Sequence, residues 1–323
     1  MIFNKINHPI IFQGNRKDKN YFEGWYYKHV SQDEKTVVSF IPDVSFAIDD
    51  AHSFVQYIYV SLDEKGKKVI KTGYFRYPLE DFVASDKPFS IRVADNYFSE
   101  SEITVKMSDD NIKVEGTMIF DSLLPIKKSF LMPNIMGFFA YVPKMECYHG
   151  IISMNHILHG KLTIDQKEIG FDEGKGYIEK DWGTSFPKRY IWIQCNNFKN
   201  KNTSVFLSMA DIPFMGKSFF GHICNLVIDD HEYRFATYNN SKLKIEMITD
   251  QKIILSIEKN KTKLRIEANL SNTGDLIAPQ HGKMENITKE GLSGEVKISL
   301  WDKQHEIVYE ENGTMAGIEI SGF

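Results

Sequence analysis

The chain has 323 residues, enough for one large or two ordinary domains with a sizeable core. Its apolar share (42%), charged share (25%) and net charge of −4 are ordinary globular values and give no reason to expect nucleic acid as a partner. The aromatic share, 13%, is high for a globular chain.

The N-terminus and the cysteines predict a cytoplasmic protein. Residues 1–20 lack the basic start and apolar run of a signal peptide, and no stretch approaches the roughly 20 apolar residues that span a bilayer. Three cysteines without paired spacing are expected to be small buried hydrophobic side chains in a reducing compartment: Cys147, Cys195 and Cys224.

The first predicted strand, YFEGWYYK (21–28), surrounds one carboxylate with rings. Alternation places Tyr21, Glu23, Trp25 and Tyr27 on the same face. Whichever face is inward, an acid or an ammonium group lies beside aromatic surface. Two interpretations follow: a strand with solvated edges, or the wall of a ligand pocket.

Strands are predicted along most of the remaining chain. Apolar and polar residues alternate in ITVKM (103–107), KLRIEANL (263–270) and EVKISL (295–300). The short polar clusters between such runs have the composition of hairpin turns. Because no long segment carries the apolar stripe of an amphipathic helix, the sequence predicts an all-β fold with few, short helices.

Residues 121–145 interrupt this pattern. The segment is apolar and aromatic, but Pro125, Pro133 and Pro143 exclude a regular helix or a central strand through most of it. It is interpreted either as an irregular loop packed between the two halves of the chain or as a lid over an apolar cavity.

Three histidines follow this segment: His149, His156 and His159. Their spacing does not place three imidazoles on one face of a strand, and no cysteine or carboxylate completes a metal set. We therefore predict no metal site, and instead one histidine, His149 or His156, hydrogen-bonded to a carboxylate. The sequence contains no Gly-rich phosphate loop, nucleophile elbow or HExxH motif.

The densest polar and aromatic cluster is GYIEKDWGTSFPKRYIWIQCNNF (176–198). If it begins as a strand, Glu179 and Asp181 project from one face, about 6.6–6.8 Å apart along the strand. Mutual repulsion and burial would raise their pKa values and keep one acid protonated near neutrality. The alternative is that they pair at the surface with a basic neighbour: Lys180, Lys188 or Arg189.

Several segments recur in the same order in both halves of the chain. SFVQYIYV (53–60) resembles SFFGHICN (218–225), residues 103–120 resemble 253–270, and a strand, turn and strand follow both Trp25 and Trp192. The matched order indicates an internal duplication. Each half has a size and pattern typical of a closed or nearly closed antiparallel barrel that holds a small apolar ligand. We expect two domains, residues 1–180 and 181–323.

Four stretches resemble the tocopherol cyclase family: YFEGWYYK, PNIMGFFAYVPKMECYHGIISMNH, GYIEKDWGTSFPKRYIWIQCN and GTMAGIEISG. The resemblance covers nearly the whole chain. It implies two tandem lipocalin-like antiparallel β-barrel domains, in agreement with the duplication, and kinship with carotenoid hydratases. Plant members of this family close a prenylated hydroquinone to a chromanol ring.

That reaction adds a phenol oxygen to an alkene after protonation. It requires an acid, aromatic faces beside the developing cation and a dry cavity, and it requires neither a cofactor nor a metal. The resemblance implies four catalytic candidates: Glu23, His149, Glu179 and Asp181. Together with Tyr27 of the aromatic strand, the ligand-binding candidates are Trp25, Trp182, Trp192, Gln194 and Asn196.

Two functions fit these residues. One is an enzyme, an intramolecular lyase (isomerase) of tocopherol cyclase type that cyclises or hydrates an isoprenoid or prenylated aromatic substrate. The other is a non-catalytic carrier of a hydrophobic molecule. In both, the partner is a small isoprenoid or lipid-like molecule and not nucleic acid, and a transient membrane contact is compatible with such a ligand. A monomer and a homodimer both remain open.

Overall fold

The computed structural model describes residues 2–14, 19–63, 65–214 and 216–323. Nearly all regular structure in these residues is antiparallel β-strand, which confirms the all-β prediction. The helices are α1 (Ile2–Asn7) and three 3₁₀ turns: Leu79–Asp81, Gly137–Tyr141 and Thr237–Asn239. No helix in the described ranges is long and apolar enough to cross a membrane.

The first sheet is formed by the strands of the first half of the chain. They are β1 (Phe22–Val30), β2 (Thr36–Ser45), β3 (His52–Leu62), β4 (Lys68–Tyr77), β5 (Phe82–Asp86), β6 (Phe89–Val93), β7 (Asn96–Ser99), β8 (Glu102–Ser108), β9 (Lys113–Phe120), β10 (Cys147–Ile164), β11 (Lys167–Gly170) and β12 (Gly174–Gly183). Their hydrogen-bonded order is β4-β3-β2-β1-β12-β10-β9-β8-β7-β6-β5, with β11 beside β10.

The second sheet is formed by the remaining strands. They are β13 (Tyr190–Cys195), β14 (Asn197–Phe198), β15 (Ser204–Phe214), β16 (Lys217–Ile228), β17 (His231–Ala236), β18 (Lys242–Ile248), β19 (Lys252–Lys259), β20 (Thr262–Asn269), β21 (Gly274–Gln280), β22 (Lys283–Trp301) and β23 (Ile307–Ser321). Their order is β17-β16-β15-β13-β23-β22-β20-β19-β18, with β14 beside β23 and β21 beside β22.

The two sheets share one topology. In each, four strands follow one another from the centre to one edge, and the last long strand of the repeat returns to pair with the first, as β12 pairs with β1 and β23 with β13. Strand β16 occupies the place of β3, and the β19–β20 hairpin occupies the place of the β8–β9 hairpin. The prediction of an internal duplication is therefore confirmed.

The expected barrels are not closed. Among the described residues, the hydrogen-bonded order of the first sheet ends at β4 and β5, and that of the second ends at β17 and β18, without a ladder that joins the ends. Three of these four end strands are short or irregular: β5 has 5 residues, β17 has 6, and β18 contains a register shift between Ile245 and Met247. Such edges offer few regular hydrogen-bonding positions for closure.

Each sheet packs a core on one face. In the first, Trp25 and Tyr27 are fully buried among the rings and aliphatic side chains of the opposing strands. In the second, Ile191 and Ile193 of β13 take this role, and Trp192 lies on the other face. The tryptophans that seemed equivalent in the sequence therefore lie on opposite faces, because a shift of one residue exchanges the two faces of a strand.

Contacts divide the chain into two compact units. The first takes in residues up to 136, 140–186 and 276–287, and the second 137–139, 187–275 and 288–323. The predicted boundary at residue 180 falls inside β12, the strand that joins β1 to β10 in the first sheet. Because residues 137–139 belong to the second unit and residues 276–287 to the first, neither unit is a continuous stretch of the chain.

Residues 276–287 belong to the first unit through hydrogen bonds to β3 and to the end of β12. The Gln56 side chain donates to the Ile277 carbonyl at 2.9 Å and accepts from the Ile277 amide at 2.7 Å. The Gly282 amide donates to the Thr184 carbonyl at 2.6 Å, and the Ser45 hydroxyl donates to the Gly282 carbonyl at 2.6 Å.

The segment 121–145 has no regular helix or strand beyond the 3₁₀ turn, as its prolines predict. Ile126 and Ile135 are buried, and the Asn134 amide donates to the Ile6 carbonyl at 3.0 Å. Most of the segment is therefore an anchored irregular loop of the first unit.

A buried ion pair accounts for the acid in YFEGWYYK. Glu23 and Lys180 form an ion pair in which both side chains are fully buried. Glu23 also accepts hydrogen bonds from the Gln13 amide at 2.7 Å and from the Tyr21 hydroxyl at 2.6 Å.

Lys180 completes the same network from β12. Its ammonium donates to the carbonyl oxygens of Pro9 and Ile11, both at 2.7 Å, and lies 4.6 Å from the Trp25 ring and 4.9 Å from the Trp182 ring. Burial lowers the pKa of Lys180 to about 8, against the opposing effect of the Glu23 charge. The network fastens the N-terminal segment to β1 and β12.

Lys180→Met should destabilise the protein by about 3–5 kcal/mol, because it leaves the Glu23 charge buried without its partner. Lys161→Met is the matched control, since Lys161 pairs with Glu168 in a largely exposed ion pair whose loss should change stability by less than about 1 kcal/mol. Urea unfolding of the three proteins measures both effects. Equal losses in the two variants would contradict a buried, uncompensated charge.

Candidate functional site

The candidate site lies on the face of the first sheet opposite to its core. Strand β12 runs between β1 and β10, and Asp181 is the register partner of both Gly24 and His149. Directly opposed residues of an antiparallel pair share a face, and Glu179 joins them two residues along β12. The Lys180 side chain points to the core face. The three consecutive charged residues of β12 are therefore divided between the two faces of the sheet.

Three of the four catalytic candidates are brought together here. His149 Nδ1 lies 2.6 Å from Asp181 Oδ1, and His149 Nε2 lies 3.4 Å from Glu179 Oε2. The His149 and Glu179 side chains are buried, whereas Asp181 keeps 25% of its side chain exposed. The Tyr177 hydroxyl donates to Glu179 Oε2 at 2.5 Å. Cys147, which is only partly buried, has its Sγ 3.9 Å from Asp181 Oδ1.

The charge state of this cluster follows from its geometry. Burial disfavours the imidazolium, but the charges of Asp181 and Glu179 outweigh burial and raise the pKa of His149 to about 10. His149 is therefore an imidazolium at neutral pH, held between two carboxylates. Burial and the Glu179 charge raise the pKa of Tyr177 well above its ordinary value, so its hydroxyl keeps its proton.

The same three residues also have the spacing of a metal-binding group. One donor atom from each lies within 4.8 Å of the others: His149, Glu179 and Asp181. The two carboxylates, however, face different nitrogens of the imidazole ring. Since a metal ligand must be a neutral imidazole with a free nitrogen, this arrangement suits a proton better than a metal ion. The absence of a metal stays a prediction.

Asp43 of β2 extends the site and was missed in the sequence. Gly24 is the register partner of both Asp43 and Asp181. These residues and His149 therefore form one row across β2, β1, β12 and β10, here called the acid row. A Cβ atom on Gly24 would lie 2.2 Å from Asp43 Oδ2. The missing side chain of Gly24 therefore provides the space that the Asp43 carboxyl group occupies.

The surroundings of Asp43 favour its neutral form. The side chain is buried, and Oδ1 has no hydrogen-bond partner among the described residues. Burial raises the pKa of Asp43 well above its ordinary value; the backbone amides of Val44 and Glu23 oppose this, and the charges of Glu23 and Asp181 add to it. Burial therefore favours the proton-bearing form of Asp43.

The other candidates in the first unit lie on the core face. Glu23 is held by Lys180, and Trp25 and Tyr27 are buried in the core. Trp182 stacks on Tyr148, with ring centroids 5.6 Å apart and planes 8° from parallel. These side chains position β1 and β12, whose opposite face carries the acid row.

Three ligand-binding candidates belong to the second unit. Trp192 and Gln194 lie on β13 and Asn196 follows it, all buried. They alternate with the core residues of that strand, and Gln194 Nε2 donates to Asn196 Oδ1 at 3.3 Å. This unit also contains a groove of about 570 Å³ beside Arg189, Phe220 and Phe323, and none of the predicted site residues lines it.

The remaining histidines of the predicted group are separate from the acid row. His156 Nδ1 lies 3.0 Å from the Ser153 hydroxyl, and burial lowers the pKa of His156 to about 3, so the ring is neutral. His159 pairs with Asp121 near the surface at 3.0 Å.

Comparison with known proteins identifies a family. The model of the tocopherol cyclase-like family matches residues 130–322. The chloroplastic tocopherol cyclase of Zea mays is 24% identical over 196 residues, 58% of this chain and 41% of the maize protein. A protein described as a probable chloroplastic tocopherol cyclase from Oryza sativa subsp. japonica is 23% identical over 197 residues, 58% of this chain and 42% of the rice protein. The chain thus matches about two fifths of the length of these relatives.

Solved structures share the fold at low sequence identity. CghA with Sch210972 has a TM-score of 0.58 and 9% identity, with 93% of this chain and 88% of that chain covered. An AttH-like protein of Nitrosomonas europaea has a TM-score of 0.54 and 12% identity, with 92% of both chains covered. Kievitone hydratase of Nectria haematococca has a TM-score of 0.52 and 10% identity, with 97% and 94% covered. At these identities the likeness shows the fold alone, the expected tandem lipocalin-like one.

The His149 cluster should make stability depend on pH. Because the pKa is about 10 in the folded protein and 6.5 ordinarily, the stabilisation is fully present below pH 6.5 and is lost as the pH rises through 10. Between these values it should fall by about 1.4 kcal/mol per pH unit.

Urea unfolding at pH 6 to 9 measures this slope, and His149→Gln removes the titrating group. The stability difference between the two proteins should shrink steadily as the pH rises. A difference that is constant over this range would mean that His149 is not held as an imidazolium.

Proposed function

The chain belongs to the tocopherol cyclase-like family, and we propose that it catalyses a proton-initiated addition to an isoprenoid double bond. The substrate class is an isoprenoid or prenylated aromatic molecule, and the reaction is its cyclisation or hydration. The observation that carries the proposal is the row on one sheet face: a buried, neutral-favouring carboxyl group, Asp43, beside the carboxylate–imidazolium cluster of Asp181, Glu179 and His149.

The relatives support this chemistry through their names. Two are called tocopherol cyclases and one solved structure is a hydratase. Both reaction types can proceed by addition of an O–H bond across an alkene, which needs an acid and a base on the same side of a site. The acid row contains both kinds of group within one buried face.

Asp43 is the proton donor in this proposal. Its O–H bond breaks as a new C–H bond forms at the less substituted alkene carbon, and a tertiary cation results. His149 also carries a proton, but a pKa of about 10 makes it a much weaker acid than a carboxylic acid. A positioned acid contributes roughly 10²–10⁴-fold to the rate of such a step.

The cluster of two carboxylates and one imidazolium stabilises the tertiary cation. Its net charge is negative, and the buried setting strengthens the attraction to a positive carbon centre. The phenol or water oxygen then forms the C–O bond and loses its proton to Asp181, the more exposed of the two carboxylates. Asp181 then releases this proton to solvent and Asp43 takes one up, so the enzyme is regenerated and no redox change occurs.

Glu179 and Tyr177 act as positioning residues. The Tyr177 hydroxyl and the His149 ring hold the Glu179 carboxylate from two sides. This fixes the imidazole plane, which in turn presents Asp181 at a defined place. An ordered base is the condition for addition at one carbon, because a mobile base would also remove a proton from the cation and return an alkene.

Asp43→Asn should lower kcat by about 10²–10⁴-fold while substrate binding is kept, because the amide has the shape of the acid but no acidic proton. The assay incubates the protein with a prenylated hydroquinone and separates the chromanol, which has the same mass, or the hydrated product, which is heavier by one water. Asp110→Asn, at an exposed turn position, is the matched control and should leave turnover unchanged.

A second variant tests the geometry. Gly24→Ala places a methyl group where the Asp43 carboxyl lies and should lower turnover even though both acids remain. Full activity in Asp43→Asn would remove Asp43 from the mechanism. Stoichiometric binding of the hydroquinone without any product would replace the enzyme by the non-catalytic carrier.

A further inference from the structure

Residues 129–132 form a tight turn with two large apolar side chains at its tip. The amides of Ser129 and Met132 each donate to the carbonyl of the other at 3.0 Å. Between them, Phe130 is 81% exposed and Leu131 is 68% exposed. Two-residue turns of this kind usually carry Asn, Asp or Gly. Packing within the fold therefore does not explain Phe130 and Leu131.

The turn is held in this exposed position by its own contacts. The Tyr141 hydroxyl donates to the Phe130 carbonyl at 2.7 Å, and the two rings lie 6.4 Å apart. On either side of the turn, Ile126 and Ile135 are buried. The exposure of the tip is therefore a property of the folded loop.

The size of the tip favours a bilayer over a protein as its partner. Two side chains of this size expose on the order of 300 Å² at most. A stable protein interface buries about 800 Å² on each partner, well beyond what this tip offers. Insertion of a ring and an aliphatic side chain at the level of the lipid headgroups needs no matching surface.

The charges before the tip agree with an anionic lipid surface. Lys127 and Lys128 are exposed directly before the turn, and the Lys128 ammonium donates to the Asn7 carbonyl at 2.7 Å. Lysines beside an inserted apolar group are attracted to anionic headgroups. We propose that the turn 129–132 is a membrane-docking tip that inserts Phe130 and Leu131 into a bilayer containing anionic phospholipid.

This tip goes beyond the proposed reaction and does not depend on it. The docking test reads vesicle binding and not turnover, so the two proposals fail separately. If both hold, docking brings the acid row to the phase in which isoprenoids dissolve.

The test is cosedimentation of the full chain with vesicles of phosphatidylcholine alone or with phosphatidylglycerol added. Binding is expected to increase with phosphatidylglycerol. Phe130→Ser combined with Leu131→Ser should weaken binding at least about tenfold, because both inserted side chains are lost. Ile287→Ser is the matched control, since Ile287 is 71% exposed on β22 and lies outside the turn.

A second readout locates the tip. In Phe130→Trp, lipids brominated on their acyl chains should quench fluorescence more than in the unchanged protein. Absence of vesicle binding, equal binding by the double Ser variant, or equal loss in Ile287→Ser would overturn the proposal. Self-association that the double Ser variant abolishes, without vesicle binding, would assign the tip to a second copy of the chain instead.

Discussion

The alternation of charged residues on β12 is the constraint on which the first unit depends. Glu179, Lys180 and Asp181 are consecutive on a strand that is paired on both sides, so one charge must enter the core face and two must enter the other. Unpaired buried charges are strongly unfavourable. The core-facing Lys180 is therefore met by Glu23, and the two acids on the other face are met by His149. One strand thus sets both the N-terminal anchor and the candidate site.

Environment separates the roles of two nearby acids. Glu23 is surrounded by donors and a cation, which stabilise its charge, whereas Asp43 is buried with one oxygen that no described residue satisfies. The first is a structural anion and the second a candidate acid, although β1 and β2 pair side by side. Gly24 makes the difference possible, because its missing side chain lets the Asp43 carboxyl reach across β1 towards Asp181. One face of the aromatic strand β1 therefore anchors the N-terminal segment through Glu23, and the other face leaves space at Gly24 for the Asp43 carboxyl group.

Local patterns in the sequence predict much of this fold. Alternation predicts the strands, the repeated order predicts the shared topology, and spacing places Glu179 and Asp181 on one face. What alternation cannot tell is which face is inward, so Trp25 and Trp192 seem equivalent although they lie on opposite faces. Asp43 is not identified from the sequence for a related reason: it reaches the site through the pairing register of β2 with β1, which local patterns do not give. The glycine inside YFEGWYYK is the signal that could have indicated a close approach. Local patterns also do not predict whether the sheets close into barrels, because closure requires hydrogen bonds between the two edge strands at opposite ends of each sheet.

The two copies of the fold have diverged in chemistry. On the face opposite the core, the first copy carries Asp43, Asp181 and His149, whereas β13 of the second carries Trp192 and Gln194, followed by Asn196. An indole or an amide can orient a ligand by contact and hydrogen bonds, but neither donates a proton to an alkene near neutral pH. The duplication therefore supplied two similar faces. The face of the second also carries acids, because buried Glu319 is the register partner of both Trp192 and Glu290 and accepts a hydrogen bond from the Tyr190 hydroxyl at 2.7 Å. The first copy differs in placing Asp43, a buried carboxyl group whose pKa burial raises, beside the carboxylate–imidazolium cluster. For this reason we assign the chemistry to the first unit and, at most, ligand contacts to Trp192, Gln194 and Asn196 of the second.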